Sequence, residues 1–227
     1  MIHLRSLFLA GAAASLATGS AFAEAPARVR GVVTTIDDKS ITVKGKDGSA
    51  VTLTTGDYTT YAEVVPSSLD EIKVDDFIGT ASKGPIDHWV AVEIVIIPPS
   101  MQGGRKGYAG WDPLPDWPNS KPSKLTATTM TNGSVARISE ATPPLTNTTM
   151  TNGKVAASSN SPGGHIITLT YDGTKTSNIT VPSTAPITRF VPAERSAIAV
   201  GSTVFIKTNP GNQAALVAAG KGVTPPM

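Results

Sequence analysis

The chain has 227 residues with 19 basic and 17 acidic side chains and no cysteine. It therefore offers no disulfide framework and no thiolate metal site, and its near balance of charge singles out no polyanionic partner such as a nucleic acid. Aromatic residues make up only 5% while Thr, Val and Ile recur throughout, a bias that favours many short strands over helices.

The first residues, MIHLRSLFLAGAAASLATGSAFA, set Arg5 before an apolar run from Leu7 to Leu16 and end on small residues at Ala21 and Ala23. This is the pattern of a cleavable signal peptide over residues 1–23, since a membrane anchor needs a longer run less rich in Ala, Gly and Ser. Its removal leaves 18 basic against 17 acidic residues. No later run is long enough to cross a bilayer, because the most apolar one, Ile94 to Ile97, stops at Pro98. The expected location is periplasmic or secreted, with no integral membrane segment after cleavage.

Residues 24–97 read as a first β module. Val29, Val33, Ile41 and Val43 alternate with polar neighbours, as strands with one buried face do. Asp37-Asp38-Lys39 and Lys46-Asp47-Gly48 supply turns, the second ending in a glycine suited to positive φ. Tyr61 to Val65 is a further strand stopped by Pro66, and Ser67 to Ile72 is a single helical turn capped by Ser67 or Ser68. Asp76 to Ala81 and Trp89 to Ile97 complete the module.

Residues 98–125 read as a linker. From Pro98 to Pro122 there are six prolines and four glycines, which deny the backbone a regular ladder. Tyr108, Trp111 and Trp117 concentrate aromatic area there, either to stack on a ligand or partner or to cover the join between modules.

The order of the first module then returns over residues 126–227. Ile41-Thr42-Val43 matches Ile167-Thr168-Leu169, Val65-Pro66 matches Val191-Pro192, and Ile72 and Val74 match Ile198 and Val200, all at an offset of 126 residues. Within this part Thr128-Thr129-Met130-Thr131-Asn132-Gly133 recurs twenty residues later as Thr148 to Gly153. Gly153 aligns with Gly31, which makes the earlier copy an added strand or hairpin arm. The expected fold is all-β, with two tandem small barrels of OB-like or SH3-like type, since closure removes exposed sheet edges.

Groups for catalysis are scarce. Beyond residue 23 only His88 and His165 remain, and there is no Gly-x-Ser-x-Gly elbow, His-Glu-x-x-His, Walker loop or dinucleotide fingerprint. The pairs Asp37-Asp38, Asp70-Glu71 and Asp75-Asp76 fall in turns, where solvation and capping explain them. The expectation is therefore a protein without enzymatic activity or cofactor, binding an envelope protein or a small ligand, with Tyr108, Trp111 and Trp117 as the ligand surface. The alternative is a Cu-type metal-binding accessory protein using Met130, Met150 and His165, because thioethers and imidazole suit copper outside the cytosol.

The segments VRGVVTTID, SITVKGKDG, VVPSSLDEIKVDDFIG and EIVIIPPSMQGGRKG followed by WD resemble exported bacterial proteins built from a small β-barrel domain of unknown function, often in tandem. The resemblance covers most of the chain after residue 23 and implies a periplasmic, Gram-negative setting. It carries no catalytic residues over to this chain. The doubled TTMTNG departs from the single copy that the resemblance implies.

Overall fold

The computed structural model describes residues 27–84, 89–102, 107–114, 126–140, 165–171 and 174–226. Thirteen strands occur among them: β1 (Arg28–Asp37), β2 (Ser40–Lys44), β3 (Ala50–Thr54), β4 (Thr60–Ser67), β5 (Phe77–Lys83), β6 (Trp89–Ile97), β7 (Gly107–Leu114), β8 (Thr126–Glu140), β9 (His165–Tyr171), β10 (Lys175–Val181), β11 (Ile187–Ala193), β12 (Thr203–Asn209) and β13 (Gln213–Gly220). No helix among the described residues is long and apolar enough to cross a membrane.

The strands form a closed five-strand barrel with further strands attached. Its ring runs β8, β9, β10, β6, β5 and back to β8. A parallel pairing of Ile179 with Trp89 and of Thr180 with Val90 joins β10 to β6. A second ring runs β1, β2, β3, β13, β12 and back to β1. It returns through Gln213 beside Thr54, where the Thr54 N–H donates to the Asn212 carbonyl at 2.8 Å. Between the rings, β11 and β4 complete the path from β6 to β13, so all thirteen strands belong to one sheet.

This arrangement corrects the expected one barrel per half. Each ring takes three strands from one half of the chain and two from the other. The cause lies in β4 and β11, which pair antiparallel with each other through Val64 opposite Phe190. Each strand thereby carries the chain that follows it to the far side of the pair, and β5 and β6 close on β8 to β10 while β12 and β13 close on β1 to β3. The exchange gives every ring strand two neighbours and leaves no ring edge open.

The two halves are built alike down to their irregularities. The register of β1 on β2 shifts between Val33 and Thr35, and that of β8 on β9 between Val135 and Arg137. The β5–β6 hairpin shifts between Ala81 and Ser82, and the β12–β13 hairpin between Lys207 and Thr208, 126 residues apart where the first pair of shifts is 102 apart. The Val33 N–H donates to the Ser202 carbonyl at 2.9 Å and its carbonyl accepts from Gly201 at 2.8 Å. Val135 repeats both bonds with Asp76 and Asp75, each at 2.8 Å. Gly201 and Asp75 both have positive φ, 90° and 73°, so the same left-handed turn is made once by glycine and once by aspartate.

Strand alternation builds three apolar clusters. Ile78, Ile94, Val135, Ile167, Leu169 and Ile179 fill one ring, and Val33, Ile41, Val43, Leu53, Ile206 and Val217 fill the other. Val95 and Ala218, each one position away from ring-filling residues, face the opposite way and pack with Ala62, Val64 and Phe190. That third cluster lies on the outer face of β4, β6, β11 and β13, where the two rings adjoin.

Several local expectations change. Part of the expected linker is strand: β7 pairs antiparallel with β8, Gly107 opposite Asn132 through Trp111 opposite Thr128. Its register shifts between Trp111 and Leu114, where Pro113 has no N–H to give. Pro66 does not end β4 but sits opposite Thr188, and Pro192 sits opposite Ala62. Both lie beyond the stretch where β4 and β11 have a neighbour on their second side, the place where a missing N–H interrupts no ladder. The expected helical turn is a 3-10 turn at Leu69–Glu71 without a side-chain cap; Ser67 Oγ instead donates to Glu71 Oε2 at 2.7 Å. The earlier TTMTNG copy is the counterpart of β1, with Gly133 rather than Gly153 in the place of Gly31. The later copy lies outside the described residues.

Candidate functional site

The outer face of the strands where the rings adjoin forms the floor of a cleft of about 350 Å³ between the two rings. Phe77 from β5, Val95 and Ile97 from β6, Phe190 from β11, Phe205 from β12 and Leu216 from β13 line it. Phe77, Phe190 and Phe205 are buried, yet each still contributes to the cleft wall. Met101, which follows β6, and Met130 of β8 add two thioethers. Gly79 keeps this wall flat, because a Cβ there would meet Asn132 Oδ1 at 2.7 Å and Val95 Cγ1 at 3.2 Å.

The two walls differ in charge although they occupy matching positions. On one, Arg28 of β1 stands opposite Lys207 of β12, and Arg30 opposite Phe205. The Arg30 guanidinium carbon lies 5.1 Å from the centre of the Phe205 ring, within the range of a cation–π interaction. On the other wall the corresponding pairs are Met130 opposite Ala81 and Asn132 opposite Gly79. Arg28 and Lys207 both line the cleft, and among the described residues no acidic side chain does. The cleft is thus apolar along its floor and cationic on one side only.

The residues singled out from the sequence are dispersed. Of the three aromatics, Tyr108 and Trp111 lie in β7 opposite Thr131 and Thr128, and Trp117 lies outside the described residues. His165 opens β9 opposite Glu140, which is about ten strand positions, roughly 33 Å, along β8 from Met130. Met130 and His165 therefore do not meet at one ion, and Met150 and His88 lie outside the described residues. Among the described residues no group of three or more His, Cys, Asp or Glu side chains is placed to hold a metal. Met101, the three phenylalanines and the Arg28–Lys207 pair escaped sequence reasoning. The available signal was the apolar residues one position out of step with the ring-filling ones, such as Val95 between Ile94 and Ile96.

The carboxylates of the turns have structural work. Asp37 accepts from the Lys39 N–H at 3.0 Å and from Ser40 Oγ at 2.7 Å, and these bonds, the Lys39 one foremost, hold its carboxyl below the ordinary value. Asp47 is lowered by Ser49, first through its hydroxyl and then through its N–H. Glu71 is lowered by the Ser67 hydroxyl and then by Arg189, whose Nη2 lies 3.2 Å away across the β4–β11 pair. A lowered folded value means that the contribution to stability is full above the ordinary carboxylate range and is lost as pH falls through the folded value. The thermal midpoint is expected to drop below about pH 4. Combining Asp37→Asn, Asp47→Asn and Glu71→Gln should flatten that acid limb in a scan of unfolding temperature against pH. An acid limb of unchanged slope in the triple variant would remove these groups as its cause.

Comparison of the chain with protein-family models, with curated proteins and with solved structures finds no match in any of the three.

Proposed function

We propose that this is an exported, non-catalytic binding protein of the bacterial periplasm whose ligand sits in the cleft between two barrels. The observation that carries this reading is the cleft itself: an open apolar site of about 350 Å³, within the range of about 300–1,000 Å³ that small-molecule sites occupy. The signal-like first 23 residues support export. The ring order, three consecutive strands followed by a crossing to the fifth and then the fourth, supports barrels of the OB type, which place ligands on their faces. The matched registers and bulges support an internal duplication, with the exchanged strands as the feature that makes one cleft out of two copies.

The test is binding of a neutral fluorescent apolar probe, N-phenyl-1-naphthylamine, to the protein lacking residues 1–23. Saturable binding at one site is expected, weakened at least about tenfold in Leu216→Trp, which puts an indole into the cleft, with circular dichroism confirming that the variant folds. No saturable binding, or equal binding by a folded Leu216→Trp variant, would overturn the assignment. Copper binding through Met130, Met150 and His165 is the less favoured reading, because β8 holds Met130 and His165 far apart.

A further inference from the structure

We propose that the cleft selects a flat aromatic ligand of two fused rings over an aliphatic one of the same skeleton; this rests on the cleft being the binding site. Two observations select that chemistry. The first is where the chain puts its phenyl groups. Every phenylalanine beyond residue 23, namely Phe77, Phe190 and Phe205, lines this one cleft, whereas the two ring interiors are filled mainly by Ile, Val, Leu and Ala. Met101 and Met130, the methionines among the described residues, line it as well. Phenyl rings and thioether sulfur are polarisable groups that meet another aromatic ring in offset, edge-on or sulfur-to-ring contacts. An aliphatic ligand gains from them only the burial of area. The volume of about 350 Å³ lies at the small end of the range for ligand sites, about 300–1,000 Å³, which suits two fused rings.

The second is that the fold does not require these rings. At the repeat offset of 126 residues Phe77 corresponds to Thr203, Phe190 to Val64 and Phe205 to Gly79, and Val64 is paired directly with Phe190. A hydroxyl, an aliphatic group and bare backbone thus serve at the matching positions of the same sheet, so strand pairing and ring closure leave the choice of side chain open. At Gly79 a thioether takes the place that a ring takes in the other half, since the Met130 sulfur would stand 3.5 Å from a Cβ built there. The three rings come from β5, β11 and β12 and are only 3%, 7% and 7% exposed. Packing therefore fixes them before a ligand arrives, and little side-chain freedom is lost when one stacks on them.

The test is titration calorimetry of the protein lacking residues 1–23 with 2-naphthol, with its ring-saturated counterpart decahydro-2-naphthol and with decanol. The saturated compound keeps the carbon skeleton and presents more apolar area, so burial of area alone would favour it. The aromatic compound is expected to bind at least about fivefold more tightly than either, the effect of one or two ring contacts beyond area burial. In Met130→Leu, a swap that keeps the volume, the ratio of the saturated to the aromatic dissociation constant should fall about twofold or more. In Phe190→Leu it should fall further. Circular dichroism checks folding, and Met130→Leu alone decides if Phe190→Leu does not fold. Tyr58→Leu, the loss of an aromatic ring from the exposed turn between β3 and β4, should leave the ratio as it is. Decahydro-2-naphthol or decanol matching 2-naphthol, or a ratio that moves equally in Tyr58→Leu, would overturn the aromatic assignment while the cleft remained a binding site. If N-phenyl-1-naphthylamine does not bind at all, both readings fall together.

Discussion

Residues 27–102 and 107–226, produced as separate chains, are expected to stay unfolded alone and to fold when mixed. The first piece holds β1 to β3 of one ring and β5 and β6 of the other, so neither ring can close. Ile78, Ile94 and Ile96 would face water without Ile167, Leu169 and Ile179, their neighbours in the buried cluster. The edges of β1, β3, β5 and β6 would lose β12, β13, β8 and β10. A piece of that size is already near the limit of what folds without staples, and it would expose both open edges and open cores. Far-ultraviolet circular dichroism and size-exclusion chromatography of each piece and of the equimolar mixture provide the measurement. A half that unfolds cooperatively as a monomer would refute the exchange of strands, since it is what two tandem barrels would do. A half that folds only by pairing with a second copy of itself agrees with the exchange, because the missing ring strands then come from the other copy.

Replacing Gly31 or Gly133 by alanine is expected to destabilise the protein by about 1–3 kcal/mol, the usual effect of forcing extra atoms into a packed interior. At Gly31 a Cβ would collide with the Lys44 carbonyl, and at Gly133 it would stand 2.6 Å from the Thr170 carbonyl oxygen. Both obstacles are backbone of the adjoining strand and cannot swing aside as a side chain would. These glycines sit where a first strand passes from one partner to the next. Val32 pairs with both Thr203 and Lys44, and Ser134 with both Phe77 and Thr170. The two substitutions should have similar effects, because the two bends are the same bend. Urea unfolding followed by circular dichroism checks this, and a Gly31→Ala midpoint equal to that of the unchanged protein would mean that the bend has room to spare.

Much of the strand inventory was legible before any coordinates. Ile41 and Val43, or Ile167 and Leu169, alternate with polar residues because one face of each strand is buried, and burial is written into side chains. Asp47-Gly48 marked its turn because Gly48 takes a φ of 85°. One proline misleads: Pro66 reads as a stop, yet it lies at a ladder position that needs no N–H, as does its repeat counterpart Pro192. Around Trp111 the Pro and Gly content concealed β7, since the pairing partner, β8, lies some twenty residues further along and supplies the order that local composition withholds.

By itself the sequence determined the fold class, the turns, the repeat at 126 residues and the poverty of catalytic groups, all of which depend on which side chains occur and at what spacing. Only the tertiary structure decided that the two halves exchange their last strands and thereby form a cleft. Alternation says which face of a strand is buried, but a ladder is made of backbone N–H and C=O groups common to every residue, so a strand's own pattern does not name its neighbour. The neighbour of β4 proved to be β11, and that pairing alone brings Phe77, Phe190 and Phe205 together from positions far apart in the chain.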